Sequence, residues 1–422
     1  MGSRIRDEPE HIFEVFAEVG RPTEPNGVAF VLQNYPEEIQ DKKILELEIP
    51  KFAFPAEVDS GAVDHFSFVL TDEEGKFKYG FCRHAAGSQT CLCIVSFLPW
   101  FEIFYRLLNL LAEILNRTES NHVRPVLEAL FKHHVPSSGE KVELLSHDPK
   151  QLFTFTCPNS AELPRIPQNR NLTEYYNAVN VHTMMSIYAC MLQERRILII
   201  SRKLSRLTAC IHGSASLLYP MFWQHIYIPK LRPSELGDVV VVDADNSTVS
   251  SEYNDLEVLP SEVVSLLKKR LKAQNAEKIG SSILGDGVAK AFLRANVALI
   301  GGYREALRFP PGEQIKFDED AFIHSRPSSM QPFLQTVLHT QMFEQFINDR
   351  LDKLIAGEGF SDIFDEEVNL EHDKWATQSR YKEWYGNMKK QGKKVRKEGK
   401  EKWVEFSSKV SELFSLSSLF HI

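Results

Sequence analysis

The sequence predicts a mixed fold in three stretches: α+β over the first 135 residues, α/β from about residue 166, and helical from about residue 276. Three observations carry this. FSFVL and KFKYGFC flank the acidic, glycine-containing turn TDEEG, a hairpin pattern. Beyond Pro167 short β-branched runs alternate with stripes of helical period, which is the sign of a parallel or mixed sheet covered by helices. Beyond Ser261 long amphipathic segments follow one another without strand-like runs between them.

Taken in order, HIFEVFAEV (His11 to Val19) reads as a strand, and the hairpin covers Phe66 to Cys82. TCLCIVS is a further strand, and Pro99 precedes the apolar segment WFEIFYRLLNLLAEIL (Trp100 to Leu115). Glu102, Arg106 and Glu113 interrupt that segment, which is shorter than the roughly 20 residues of a membrane span, so a buried soluble helix is expected. Trp100 and Phe101 are expected to pack that helix. NHVRPVLEALFKHH gives a second helix, and the polar, proline-bearing stretch 139–165 reads as a linker.

Val181, Met184, Met185, Tyr188, Met191 and Leu192 share one helical face. ERRILIIS then reads as a strand, Leu204 to Leu218 as a helix and HIYIP (His225 to Pro229) as the next strand, a β-α-β unit. DVVVVD (Asp238 to Asp243) is another strand, yet only KLRPSELG separates it from HIYIP. A parallel crossover needs about a dozen residues or more, so these two runs are not ordinary parallel neighbours. SEVVSLLKKRL starts a helix with Ser261 as its cap, GDGVAKAFLRANVALIGG stops at Gly301-Gly302, and Phe333 to Ile355 reads as one long helix. The domain bounds expected are 1–138, linker 139–165, 166–275, 276–358, and an acidic then basic, partly disordered tail 359–422.

Composition is that of a soluble globular protein, 43% hydrophobic and 25% charged. The formal charge of -8 argues against general nucleic-acid binding. Eight Lys/Arg fall between Lys389 and Lys402, leaving the remainder near about -14. Six cysteines in a chain of this length do not make a disulfide framework, which points to a reducing compartment. MGSRIRDEPE lacks the apolar core of a signal peptide, and Arg6 stands where a myristoylation pattern wants Ser or Thr. A cytosolic protein is expected.

Catalytic constellations are sparse. The GK pairs at Gly75, Gly392 and Gly399 lack phosphate-loop spacing. HGSASL has Leu217 where a nucleophile elbow needs its second glycine, and Ser214 falls in mid-helix. Cys82, His84, Cys91 and Cys93 could in principle hold zinc, but Cys-x-Cys on strands is ordinary core spacing; no metal and no cofactor is expected. His182 and His212 read as structural. The pattern favours a protein that works through its surface.

From ELPRIPQNRNLTEYYNAVNVHTMMSIYACMLQERRILIISRKLSRLTACIHGSASLLYPMFWQHIYIP the chain closely resembles the central segment of DENN-domain proteins of the connecdenn branch. MGSRI, FCRHAAGSQTCLCIVSFLPWFEIFYRLLNLLAE, GDGVAKAFL and GEGFSDIFDEE are similar to the same branch, covering Met1 to about Glu367. The resemblance implies a longin-like upstream module, an α/β central part and a helical downstream part. It also implies guanine-nucleotide exchange on a Rab GTPase of the thirty-five type, at clathrin-coated vesicles and early or recycling endosomes, with no covalent chemistry. The alternatives are a non-catalytic Rab-binding or clathrin-adaptor-binding protein, and a GTPase-activating protein. Relatives carry about thirty further residues where this chain has KLRPSELG, so a weakened central sheet and exposed apolar surface near Leu218 to Ile228 are expected.

Exchange factors have no fingerprint of catalytic residues, so contact candidates rest on residue type. Asn169, Arg170 and Asn171 are rich in donors at a module junction, and the competing reading is a capped linker. Glu194, Arg195 and Arg196 begin a strand, as GTPase contacts or as an internal ion-pair cluster. FSDIF (Phe360, Asp362, Phe364) and WVEF (Trp403, Phe406) fit peptides read by clathrin-adaptor appendages, and FSDIF has packing back on the domain as its alternative. LFSLS resembles a clathrin box without its acid, and Lys389 to Lys402 could meet an anionic membrane.

Overall fold

Antiparallel pairing joins the N-terminal apolar runs into one five-stranded sheet. The computed structural model describes residues 4–6, 8–22, 27–39, 41–55, 62–85, 87, 89–116, 123–145, 152–159, 162–228, 237–278, 285–310, 315–356 and 362–375. The chain forms two interleaved units. One comprises the residues up to Asn180 with Arg196–Ser214 and Gln224–Ser250, and the other comprises Val181–Arg195, Ala215–Trp223 and the residues from Ser251 onward.

In the first unit lie β1 (Val15–Gly20), β2 (Phe30–Tyr35), a short α1 (Ile49–Ala53), β3 (Asp64–Thr71), β4 (Phe77–His84) and β5 (Thr90–Ser96). The strand order is β2-β1-β5-β4-β3. The β3–β4 turn closes where expected: Gly75 takes φ +81°, a conformation that favours glycine, and the Asp72 carboxylate accepts the Lys76 N–H at 2.7 Å. Both faces of the sheet are buried, which explains why its central strands read as continuous apolar runs. Phe16, Phe81 and Ile94 share one core with α2 (Phe101–Asn116) and α3 (Val123–Lys132), while Val15, Ala17, Cys82 and Cys93 share another with α1. Trp100 and Phe101 pack in the first core as expected.

The stretch expected as a linker holds a hairpin instead, β6 (Lys141–Leu145) against β7 (Leu152–Thr156). Val142, Leu144, Phe153 and Phe155 are buried in the first core, and about 1.5–3 kcal/mol for burying each large side chain explains why a segment with weak periodicity is ordered. β2 was not apparent in the sequence either, because its exposed, uneven pattern lacks alternation.

Next come α4 (Arg170–Ala178), α5 (Val181–Leu192, in the second unit), β8 (Ile197–Ile200), α6 (Leu204–Ser216), β9 (Val240–Asp243) and β10 (Thr248–Ser250). Their sheet has the order β10-β9-β8, with β8 and β9 parallel and Ile197 level with Val240. HIYIP is not one of its strands: residues 225–228 form no strand, and Ile226 and Ile228 are 56% and 57% exposed. The parallel partner of ERRILIIS is therefore DVVVVD. Expected apolar exposure is found at Phe222, Ile226 and Ile228, whereas Leu218 and Met221 are buried. KLRPSELG lies outside the described residues but for Gly237.

The second unit is helical: α5, α7 (Asp255–Val258), α8 (Ser261–Lys278), α9 (Gly287–Ile300), α10 (Glu319–Ile323), α11 (Gln331–Val337), α12 (Gln341–Ile355) and α13 (Ile363–Trp375). Tyr188 donates to Asn296 Oδ1 at 2.5 Å, and Asn296 Nδ2 donates to the Tyr219 carbonyl at 2.8 Å, a buried knot across three segments. Ser261 is the first helical residue and donates to Glu262 rather than capping. The single helix expected from Phe333 to Ile355 is two, because Thr340 is extended and its hydroxyl donates to the Val337 carbonyl at 2.7 Å. The stretch 363–375, expected within the tail, is helix α13.

Candidate partner-binding surface

Most of the charged and polar residues singled out in the sequence are spent inside their own unit. Asn169 is the N-cap of α4, its Oδ1 accepting the Leu172 N–H at 2.8 Å. The Arg170 N–H donates to Glu102 at 2.5 Å, and its Nη1 donates to His65 Nδ1 at 3.2 Å. Because a guanidinium only donates, Nδ1 must accept, which leaves the proton on Nε2 for Asn109 Oδ1 at 2.9 Å. Burial, and then the charge of Arg170, lower the His65 pKa to about 4. Asn171 is buried. The polar stretch is thus the start of a helix rather than an open groove.

Glu194 adopts φ +50° where α5 ends, and its carboxylate accepts the Met342 N–H of α12 at 2.8 Å. Arg195 grips Asp255 through Nε at 3.1 Å and Nη2 at 2.9 Å, and its guanidinium lies 3.9 Å from the Tyr253 ring centroid. Asp255 is 3% exposed, so this pair is internal. Arg196 differs. It is exposed, and its guanidinium has no partner among the described residues.

FSDIF is occupied as well. Phe364 is fully buried against Phe346 and Tyr303, and Asp362 is paired with Arg350. As folded, the peptide has its second aromatic and its acid turned into the protein, which is the alternative of packing back on the domain. Phe360, Trp403, Phe406, LFSLS and Lys389 to Lys402 lie outside the described residues.

Sequence reading missed a pocket of about 520 Å³ at the carboxyl ends of β8 and β9. Asp245 knots its wall, accepting the Arg202 N–H at 2.7 Å, Ser201 Oγ at 2.9 Å and Arg206 Nη1 at 2.8 Å. The Arg202 N–H, foremost among these donors, holds the Asp245 carboxyl below its ordinary pKa. The side chains of Arg202 and Lys203 project from the rim, exposed and without partners among the described residues. Carboxyl ends of parallel strands are the usual ligand crevice of α/β sheets, and the sequence signal was the cationic SRK directly after ILII.

Cys82, His84, Cys91 and Cys93 meet across β4 and β5, with Cys82 opposite Cys93 and His84 opposite Cys91. Burial opposes the Cys91 thiolate, but hydrogen bonds from Cys82 and His84 bring its pKa down to about 6. His84 also binds the Ala53 carbonyl at 2.8 Å, and no group among the described residues has metal-holding geometry. His212 contacts Ser67 Oγ at 3.1 Å, and burial lowers its pKa to about 3.

Comparison with known proteins gives a consistent picture. The uDENN domain matches residues 29–85, the DENN (AEX-3) domain residues 87–244 and the dDENN domain residues 317–367. DENN domain-containing protein 1B of Mus musculus is 44% identical over 422 residues, covering 93% of this chain and 54% of that protein. DENN domain-containing protein 1A of Homo sapiens is 44% identical over 423 residues, covering 92% and 41%. DENN domain-containing protein 1C of Mus musculus is 37% identical over 416 residues, covering 87% and 52%. The chain spans about half the length of these curated relatives. The alignment to the mouse 1B protein is 422 positions long yet uses 93% of this 422-residue chain, so that relative holds about thirty positions skipped here.

Proposed function

The chain belongs to the DENN-domain family, and on that premise we propose that it is a guanine-nucleotide exchange factor promoting GDP release from a Rab GTPase of the thirty-five type. The observation that carries this is the succession of uDENN, DENN and dDENN matches along one chain, with 44% identity to a 1B relative. Exchange needs no bond-making residue. The factor binds the nucleotide-free GTPase more tightly than the loaded one, and by linkage the nucleotide is weakened by the same factor. A surface that holds the switch segments away from magnesium and phosphate suffices.

Arg196, Arg202 and Lys203 are the contacts this reading favours, since they are exposed cations with no internal partner among the described residues. The setting proposed is the cytoplasmic face of clathrin-coated vesicles and early or recycling endosomes. There WVEF would supply an adaptor contact, and the run Lys389 to Lys402 an anionic-membrane contact.

A second reading, a Rab binder without exchange activity, is favoured by two observations: HIYIP stands outside the sheet, and about thirty positions of the 1B relative are skipped. Release of fluorescent GDP from a thirty-five-type Rab separates the two. Acceleration by this chain supports exchange. Acceleration only after the skipped segment is restored supports the binder, with preference for GTP-loaded Rab as its mark. Faster GTP hydrolysis instead of release would mean a GTPase-activating protein.

A further inference from the structure

Among the described residues β8 is the outer strand of its sheet. The carbonyls of Arg196 and Ile200 accept the N–H groups of Val240 and Ala244 at 2.9 and 3.0 Å. Backbone groups alternate sides along a strand, so Arg196, Leu198 and Ile200 face β9. The N–H and C=O of Ile197 and Ile199 therefore point outward, and they meet no partner among the described residues. Natural edges are blunted by proline, a bulge or an inward charge, yet ILII has none of these, and its last side chain, Ile200, is 41% exposed. In sequence, charge brackets the strand, with no acid in RILIISRK: Arg196 precedes it, its guanidinium beside Gly237, and Arg202 and Lys203 follow it on the rim they share with Asp243 and Asp245.

We propose that the outer edge of β8 is a strand-addition site for an extended partner segment with an apolar, β-branched centre and acidic residues at both ends. Backbone pairing to Ile197 and Ile199 would supply the binding, and the flanking cations the register and the selectivity. Other occupants fit worse. A second copy of β8 would set cations against cations in either direction of pairing. The connection 229–236 brings Pro229, Pro233, Lys230 and Arg232, and proline cannot donate to a ladder. The run Lys389 to Lys402 is basic. The inference does not rest on the exchange reading, because its readout is peptide binding and not nucleotide release.

The test is fluorescence anisotropy of the full chain with a labelled synthetic peptide, Asp-Asp-Val-Thr-Val-Thr-Val-Asp-Asp, beside its lysine-flanked counterpart. The acidic peptide should bind about tenfold or more tightly than the lysine one, and less tightly as salt is raised. Ile199→Pro removes one outward N–H and leaves the β9 ladder intact, so it should weaken binding about tenfold while the urea midpoint holds. Should that variant fold poorly, the surface pair Arg202→Glu with Lys203→Glu should shift preference towards the lysine-flanked peptide. Equal binding of the two peptides, or unchanged binding by both variants, overturns the proposal. So does self-association of the chain that Ile199→Pro abolishes, which would make a second copy the occupant.

Discussion

Arg350 donates from Nη2 to Asp362 Oδ2 at 2.5 Å and so ties α12 to the residue just before α13. The same guanidinium reaches Asp365 at 3.0 Å, where Arg304 also binds. Asp362 keeps its charge through Arg350: burial works against the carboxylate, yet its pKa stays below the ordinary value. This cluster seats Phe364, whose ring centroid lies 5.8 Å from that of Phe346. A motif that reads as a ligand for another protein is here part of the core of its own.

Phe364→Ala should therefore lower the unfolding free energy by about 3–5 kcal/mol, as expected for emptying a buried aromatic site. Urea denaturation of the full chain measures it. An effect below about 1 kcal/mol would mean that the segment is not docked in solution.

The neighbours Arg195 and Arg196 should part company. Arg195→Ala strands the buried Asp255 carboxylate and should cost about 3 kcal/mol of stability or more. Arg196→Ala should change stability by less than about 0.5 kcal/mol, since its side chain is exposed and unpaired among the described residues. If Arg196 meets the GTPase, GDP release should slow by about fivefold or more at unchanged stability. Thermal melts paired with exchange assays on both variants decide the matter.

These residues show how far the sequence can be read. The β3–β4 hairpin was legible because Asp72 and Gly75 fix a turn locally, with no help from distant residues. The stripe of α5 was legible for the same reason. HIYIP was misread because alternation of β-branched residues only permits a strand, whereas a strand requires a paired neighbour, and pairing is not local. The β6–β7 hairpin escaped notice because its order comes from Val142 and Phe155 packing into a distant core. Of the candidate contacts, chemistry alone could not separate Arg195 from Arg196. The difference lies in Asp255, sixty residues on, and in which way each side chain leaves the chain.

Two histidines, the buried His65 and the half-buried His212, make the first unit acid-sensitive. In the folded chain His65 titrates at about 4 and His212 at about 3, both below the ordinary value of 6.5. Between these limits the unfolded state binds the extra protons, so stability is complete above about pH 6.5 and falls as the pH drops towards the folded values. From pH 7 to pH 5 each histidine should cost about 2 kcal/mol. His212→Gln should remove about 2 kcal/mol of the loss between the two pH values, read from urea midpoints. An unchanged loss would place His212 in contact with solvent.

The HGSASL stretch gives a final contrast between a motif and its setting. Ser214 Oγ donates to the Ile211 carbonyl at 3.0 Å within α6, so it is a helix residue satisfied by its own turn and not a nucleophile on a strained elbow. Ser214→Ala should cost less than about 1 kcal/mol in urea denaturation. Gly213 is the residue its surroundings constrain. A Cβ there would stand 2.7 Å from Tyr175 Cβ and 3.0 Å from the Asn171 carbonyl oxygen, so α6 and α4 approach each other through the missing side chain. Neither contact is the far end of a flexible group, so relief requires a shift of backbone. Gly213→Ala should therefore destabilise by about 1–3 kcal/mol despite alanine's better helix propensity, which alone would give a gain of about 1 kcal/mol. A stabilised Gly213→Ala chain in urea denaturation would show that α4 and α6 are further apart than this packing requires.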